Sequence, residues 1–72
     1  MNLIAGHVIE VLKVEEFKAD IVWKLKEGDM LYGRVYTRFT VKYTDEGGTH
    51  ITYLDFEKGT EPDVKPGYIF LH

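Results

Sequence analysis

Seventy-two residues, 44% of them hydrophobic and 14% aromatic, are enough for one folding domain but only a small core, because a chain of this size buries only about 60% of its unfolded surface. The net charge of -3 opposes a generally basic nucleic-acid binder. Cys, Ser and Gln are missing and Asn2 is the single Asn, so disulfides, thiolate-held zinc and serine or cysteine hydrolase triads are excluded.

Met1 to Ile9 lacks the basic leader and small-residue cleavage pattern of a secretory signal, and Glu10 and Lys13 interrupt the apolar run, so the opening reads as the first structural element. No uncharged stretch approaches the roughly 18 apolar residues of a membrane span, and a cysteine-free chain suits a reducing interior. The expectation is a cytoplasmic protein with no membrane partner. Residues 3–14 are apolar on both parities and β-branched, as in a central or strongly curved strand, with Gly6 allowing the curvature.

Residues 14–26 admit two readings. As a strand they put Phe17, Ala19, Ile21, Trp23 and Leu25 on one face; as a helix they put Val14, Phe17, Ile21, Val22 and Leu25 in a stripe that Gly28 would stop. The strand is preferred, since Trp23 would point away from the helical stripe and no good N-cap residue stands at its start. The stretch Leu25 to Val35 resembles the strand-to-strand connection of many small barrels, with no family-specific motif attached.

Residues 30–44 alternate with period two. Leu31, Gly33, Val35, Thr37, Phe39, Val41 and Tyr43 form an inward face, and Met30, Tyr32, Arg34, Tyr36, Arg38, Thr40, Lys42 and Thr44 an outward one. Asp45-Glu46-Gly47-Gly48 then reads as a four-residue connection to a second strand over Thr49 to Glu57. Pairing Thr44 with Thr49 sets Lys42 against Ile51, Thr40 against Tyr53, Arg38 against Asp55 and Tyr36 against Glu57. The same register sets Tyr43 against His50, Val41 against Thr52, Phe39 against Leu54 and Thr37 against Phe56. One register thus sorts both strands into an apolar and a polar face, and a slip of one residue would place Arg38 opposite a core residue. Tyr68 to Leu71, entered through Pro66-Gly67, closes the chain as a short strand.

The fold expected is all-β, a single domain over 1–72 forming a small five-stranded, partly open barrel of the SH3-like or OB-like kind. The alternative is α+β, with one helix at about 15–26 packed on an antiparallel sheet.

Charge is distributed unevenly: residues 1–29 carry -2, residues 30–44 carry +3 and residues 45–72 carry -4. The central positive charges share a face with tyrosines. Tyr32, Arg34, Tyr36, Arg38, Lys42 and Tyr53 are therefore the candidate partner-binding residues, since Tyr and Arg dominate protein–protein hot spots. Interleaved aromatic and basic side chains also suit single-stranded nucleic acid. Against that second reading, the register places Asp55 and Glu57 beside Arg34 and Arg38, where they would cancel the field a phosphate needs.

Nothing else in the chain collects into chemistry. His7, His50 and His72 have no ligand spacing, Asp55 to Asp63 runs into a solvated loop, and the glycines match no phosphate cradle. The functional expectation is a non-enzymatic protein-binding module of the inhibitor or accessory-subunit type, without catalytic residues, cofactor or metal. Another protein is its expected partner, nucleic acid the alternative, and an open sheet edge with solvent-facing Val22 and Ile51 admits a homodimer.

Overall fold

A computed structural model describes residues 3–72; Met1 and Asn2, at the head of the opening read above as a structural element, lie outside the described residues. The chain forms one antiparallel sheet in the order β3-β2-β1-β4. The strands are β1 (Ala5–Lys18), β2 (Val35–Asp45), β3 (Gly48–Glu57) and β4 (Ile69–Leu71), with one helical turn, α1 (Ala19–Val22), after β1. The sheet is open, with β3 and β4 at its two sides. Its extents are 40 × 28 × 17 Å, the shortest leaving room for little more than one sheet and its side chains when stacked sheets sit about 10 Å apart. The radius of gyration is 13.7 Å, against about 11 Å for a compact domain of this length.

The five-stranded barrel is thus corrected to a four-stranded open sheet. The expected break at residue 14 does not exist, because β1 runs unbroken to Lys18. It also shifts register against β2 twice, between Val8 and Glu10 and between Val11 and Lys13. Ile9 and Leu12 are the extra residues of two β-bulges, which explains why residues 3–14 look apolar on both parities. Curvature comes from these bulges. Gly6 serves a different end: a Cβ there would lie 2.7 Å from Cζ of Phe70 and 3.0 Å from Cδ2 of Tyr43.

Neither reading of residues 14–26 survives whole. The strand ends at Lys18, and the helix is the four residues Ala19–Val22, with no side-chain cap at Lys18. Ala19 is fully buried, and its N–H donates to the carbonyl of Arg34. Residues 30–34 likewise lie outside β2. Tyr32 N–H bonds Asp29 O, Arg34 N–H bonds Leu31 O, and Gly33 sits at φ 78°, so a tight turn occupies the start of the predicted strand.

The β2–β3 hairpin has the expected register at every position from Tyr36–Glu57 to Thr44–Thr49, and Asp45 pairs with Gly48 as well. The connection is therefore Glu46-Gly47, shorter than the four residues expected. Asp45 Oδ1 accepts the N–H of Gly47 at 2.8 Å, an Asx turn that tightens the bend. The short closing strand is present as β4, paired with β1 through Ala5–Leu71, Gly6–Phe70 and His7–Ile69.

The core lies on one face of the sheet, where Val8, Val41 and Tyr43 are buried together with Thr37. The connection 58–68 crosses this face: Lys58 N–H bonds Val35 O at one end, the Thr37 hydroxyl donates to Glu61 Oε2 at 2.8 Å midway, and Gly67 N–H reaches Val8 O at the other end. The opposite face, which carries Phe17, Tyr36, Arg38, Lys42, Ile51 and Tyr53, is called the open face below. Among the described residues, no helix is long and apolar enough to cross a membrane.

Candidate interaction face

The open face is organised around Arg38. Its strand neighbours are Glu15 on β1 and Asp55 on β3. Nε donates to Asp55 Oδ1 at 2.8 Å and one terminal nitrogen to Oδ2 at 2.9 Å, a two-pronged ion pair with the Arg38 side chain only 17% exposed. The guanidinium also lies over two rings, 4.7 Å from the centre of Phe17 and 4.3 Å from that of Tyr53. Hydrogen bonding to Asp55 raises the Arg38 pKa above its ordinary value, against an opposing effect of burial. The charge is fixed and its planar face is already occupied.

Phe17 extends the cluster toward α1. Its ring stacks on Tyr36 with centres 5.8 Å apart, and Trp23 closes edge-on over both, 5.3 Å from Phe17 and 5.0 Å from Tyr36. This is why the chain leaves the sheet after Lys18: the helical turn swings Trp23 back over the strand pair it follows. Lys24, at φ 52°, continues that reversal.

The six candidate residues separate into two groups. Tyr36, Arg38, Lys42 and Tyr53 share the open face of β2 and β3, with Lys42 between Glu10 and Ile51. Tyr32 and Arg34 belong to the preceding turn. Arg34 donates to both Glu57 carboxylate oxygens, at 2.9 and 3.0 Å, and to Met30 O. The half-buried Tyr36 and the paired Arg38 hold the face together, whereas Tyr53 at 59% and Ile51 at 63% exposure present it to solvent. Phe17 and Trp23 were missed as members of this face. Only the β1–β2 register brings Phe17 to Tyr36, and the bulges conceal that register in the sequence.

A second polar cluster sits at the other end of β2, on the core side. His50 Nε2 and His72 Nε2 each lie 3.2 Å from an Asp45 carboxylate oxygen, beside the Tyr43 ring. Burial acts to raise the Asp45 pKa, but the Gly47 N–H and the two imidazoles outweigh it and hold the carboxyl below its ordinary value. Asp45 and His50 straddle the turn on one face, so this half of the cluster could be read from the hairpin register; His72 could not.

The chain matches no protein-family model, no curated protein and no solved structure.

Proposed function

We propose that the protein is a non-enzymatic binding module of the inhibitor or accessory-subunit type, and that it engages another protein through the open face. The observation that carries this reading is the Arg38 clamp. By holding the Tyr53 ring against a paired guanidinium, it keeps a large exposed aromatic surface in one orientation, which lowers the entropy lost when a partner docks. Ile51 and Trp23 extend the apolar contact, and Lys42, Glu57 and Glu10 supply a mixed-charge rim.

Single-stranded nucleic acid is the weaker reading. Stacking rings are available, yet Arg34 and Arg38 already give donors to Glu57 and Asp55, leaving little positive field for a phosphate chain.

The test uses Tyr53→Ala, which removes exposed surface and leaves the Arg38–Asp55 pair in place. Affinity capture from host extract with the unaltered chain should retain a protein that the folded variant loses, and low-salt oligonucleotide titration should show no binding. Retention by both chains alike would reject this face.

A further inference from the structure

The sheet has two outer edges, one formed by β3 and the other by the three-residue β4 and, beyond Val8, by β1, and they are built differently. Beyond Val8, nothing among the described residues pairs with the outer side of β1. That edge is broken by the bulges at Ile9 and Leu12 and studded with Lys13, Glu15, Glu16 and Lys18. Bulges and edge charges are the devices by which sheets refuse further strands. On the outer side of β3, likewise unpaired among the described residues, these devices are missing as far as Leu54, with the acids Asp55 and Glu57 only at its end. Its pairing with β2 runs without a register shift, and Gly48-Thr49-His50-Ile51-Thr52-Tyr53-Leu54 contains no proline, lysine, arginine or acid.

The hydrogen-bonding parity of this edge follows from one contact. Lys58 N–H bonds Val35 O, so even-numbered residues of β3 turn their backbone groups inward to β2. Thr49, Ile51, Tyr53 and Asp55 therefore turn theirs outward.

We infer that β3 pairs antiparallel with β3 of a second copy of this chain, about a two-fold axis at Thr52, joining two four-stranded sheets into one of eight. In this register Ile51 faces Tyr53 of the second copy and Tyr53 faces its Ile51, so the two most exposed apolar side chains of the strand cover one another. His50 meets Leu54, Thr49 meets Asp55 and Thr52 meets itself, and no like charges are opposed. Moving the axis to Tyr53 would set Ile51 against Asp55, and moving it to Ile51 would shorten the ladder and leave Tyr53 facing Thr49. The exposed area fits a missing neighbour: 5170 Å² is accessible, against about 4,600 Å² for a compact monomer of this mass. The inference does not rest on the partner-binding reading, because it concerns the backbone edge and a homotypic contact.

The experiment exploits a chain without native cysteine. Sedimentation equilibrium of the unaltered protein should show the average mass rising from 8.4 kDa toward twice that value as concentration increases from about 10 μM to about 1 mM. Thr52→Cys should then cross-link to itself under mild oxidation, since directly opposed residues of a non-hydrogen-bonded pair have Cα atoms about 4.5 Å apart, within disulfide reach. Ile51→Cys and Tyr53→Cys should cross-link to each other when mixed and far less when oxidised alone. A monomer at every concentration, filaments in place of dimers, or self-linking of Ile51→Cys above Thr52→Cys would each overturn the proposal. Because Tyr53 lies in both contacts, Trp23→Ala separates them: Trp23 packs on Phe17 and Tyr36, away from β3, so this variant should weaken partner capture and leave sedimentation and cross-linking unchanged.

Discussion

Arg38 lies between Phe17 of β1 and Tyr53 of β3, 4.7 and 4.3 Å from the two ring centres, while Asp55 holds it from the side. One side chain thus ties three adjacent strands together on the face away from the core. Arg38→Ala should lower stability by about 2 kcal/mol, as expected when a partly buried, charge-assisted pair loses one member. Arg38→Lys should recover little of it, because an ammonium cannot offer a planar surface to two rings and a fork to one carboxylate. Urea unfolding of both variants with Asp55→Asn, combined in a double-mutant cycle, measures the coupling; additive losses would mean that the pair is energetically idle.

Gly6 is required by its neighbours. Its missing Cβ is where the tip of Phe70 and the edge of Tyr43 meet, so Gly6→Ala should cost about 1–3 kcal/mol by overpacking. The cost should fall on β4, which is three residues long and pairs Phe70 with Gly6 at its centre. Hydrogen exchange at Phe70 and Leu71 should accelerate in the variant before exchange in β2 does. Adding Phe70→Leu should restore part of the loss, whereas a purely backbone effect of Gly6 would give no rescue.

Acid should loosen the molecule at two carboxylates. Glu61 is held below its ordinary pKa by its own backbone N–H and by the Thr37 hydroxyl, with the Gly59 N–H also contributing. Asp45 is held low against its burial by the Gly47 N–H and by His50 and His72. A group with a depressed folded pKa stabilises the fold above its unfolded pKa, and that contribution is lost as pH falls through the folded value. The melting temperature should therefore drop as pH falls below about 4. Glu61→Gln and Asp45→Asn should each flatten the drop, and profiles parallel to that of the unaltered chain would reject the assignment.

Trp23 reports on the junction between strand and helical turn. It is the only tryptophan and is 38% exposed, edge-on to Phe17 and Tyr36. Phe17→Leu should shift its fluorescence to the red and cost about 1 kcal/mol, the scale of lost aromatic contacts beyond simple area. An unchanged spectrum would mean that Trp23 does not rest on this pair in solution.

The hairpin was legible because two conditions coincide there. Its strands alternate without interruption from Val35 to Asp45 and from Thr49 to Glu57, and the register that pairs Thr44 with Thr49 across the turn puts Arg38 opposite Asp55 while keeping Phe39 and Val41 inside. β1 was illegible because parity fails at Ile9 and Leu12, so no face persists along it. Phe17, Ala19, Ile21, Trp23 and Leu25 also keep an alternating pattern past the end of the strand, although Ala19 turns inward to bond Arg34 and the chain reverses. Tertiary contact overrides the local pattern at that point. Gly33 carried a usable signal that strand periodicity masked: its positive φ closes a turn inside what looks like a continuous strand. The pairing of Arg38 with Asp55 was readable from the hairpin, but its stacking on Phe17 depends on β1 and was not.

Ile9 and Leu12 have one more consequence. Without them, the residues from Gly6 to Glu15 would read Gly6, His7, Val8, Glu10, Val11, Lys13, Val14, Glu15, an unbroken alternation of core-side and open-side positions matched to β2. Folding onto β2 does not need the two inserted residues. Their effect is to spoil one flank for strand addition while the other flank stays regular, and a subunit with one joinable side can form pairs but not chains. Deleting both residues and replacing Lys13, Glu15, Glu16 and Lys18 by threonine should yield a sheet that assembles at either side, with finite particles replaced by growing fibrils visible by light scattering.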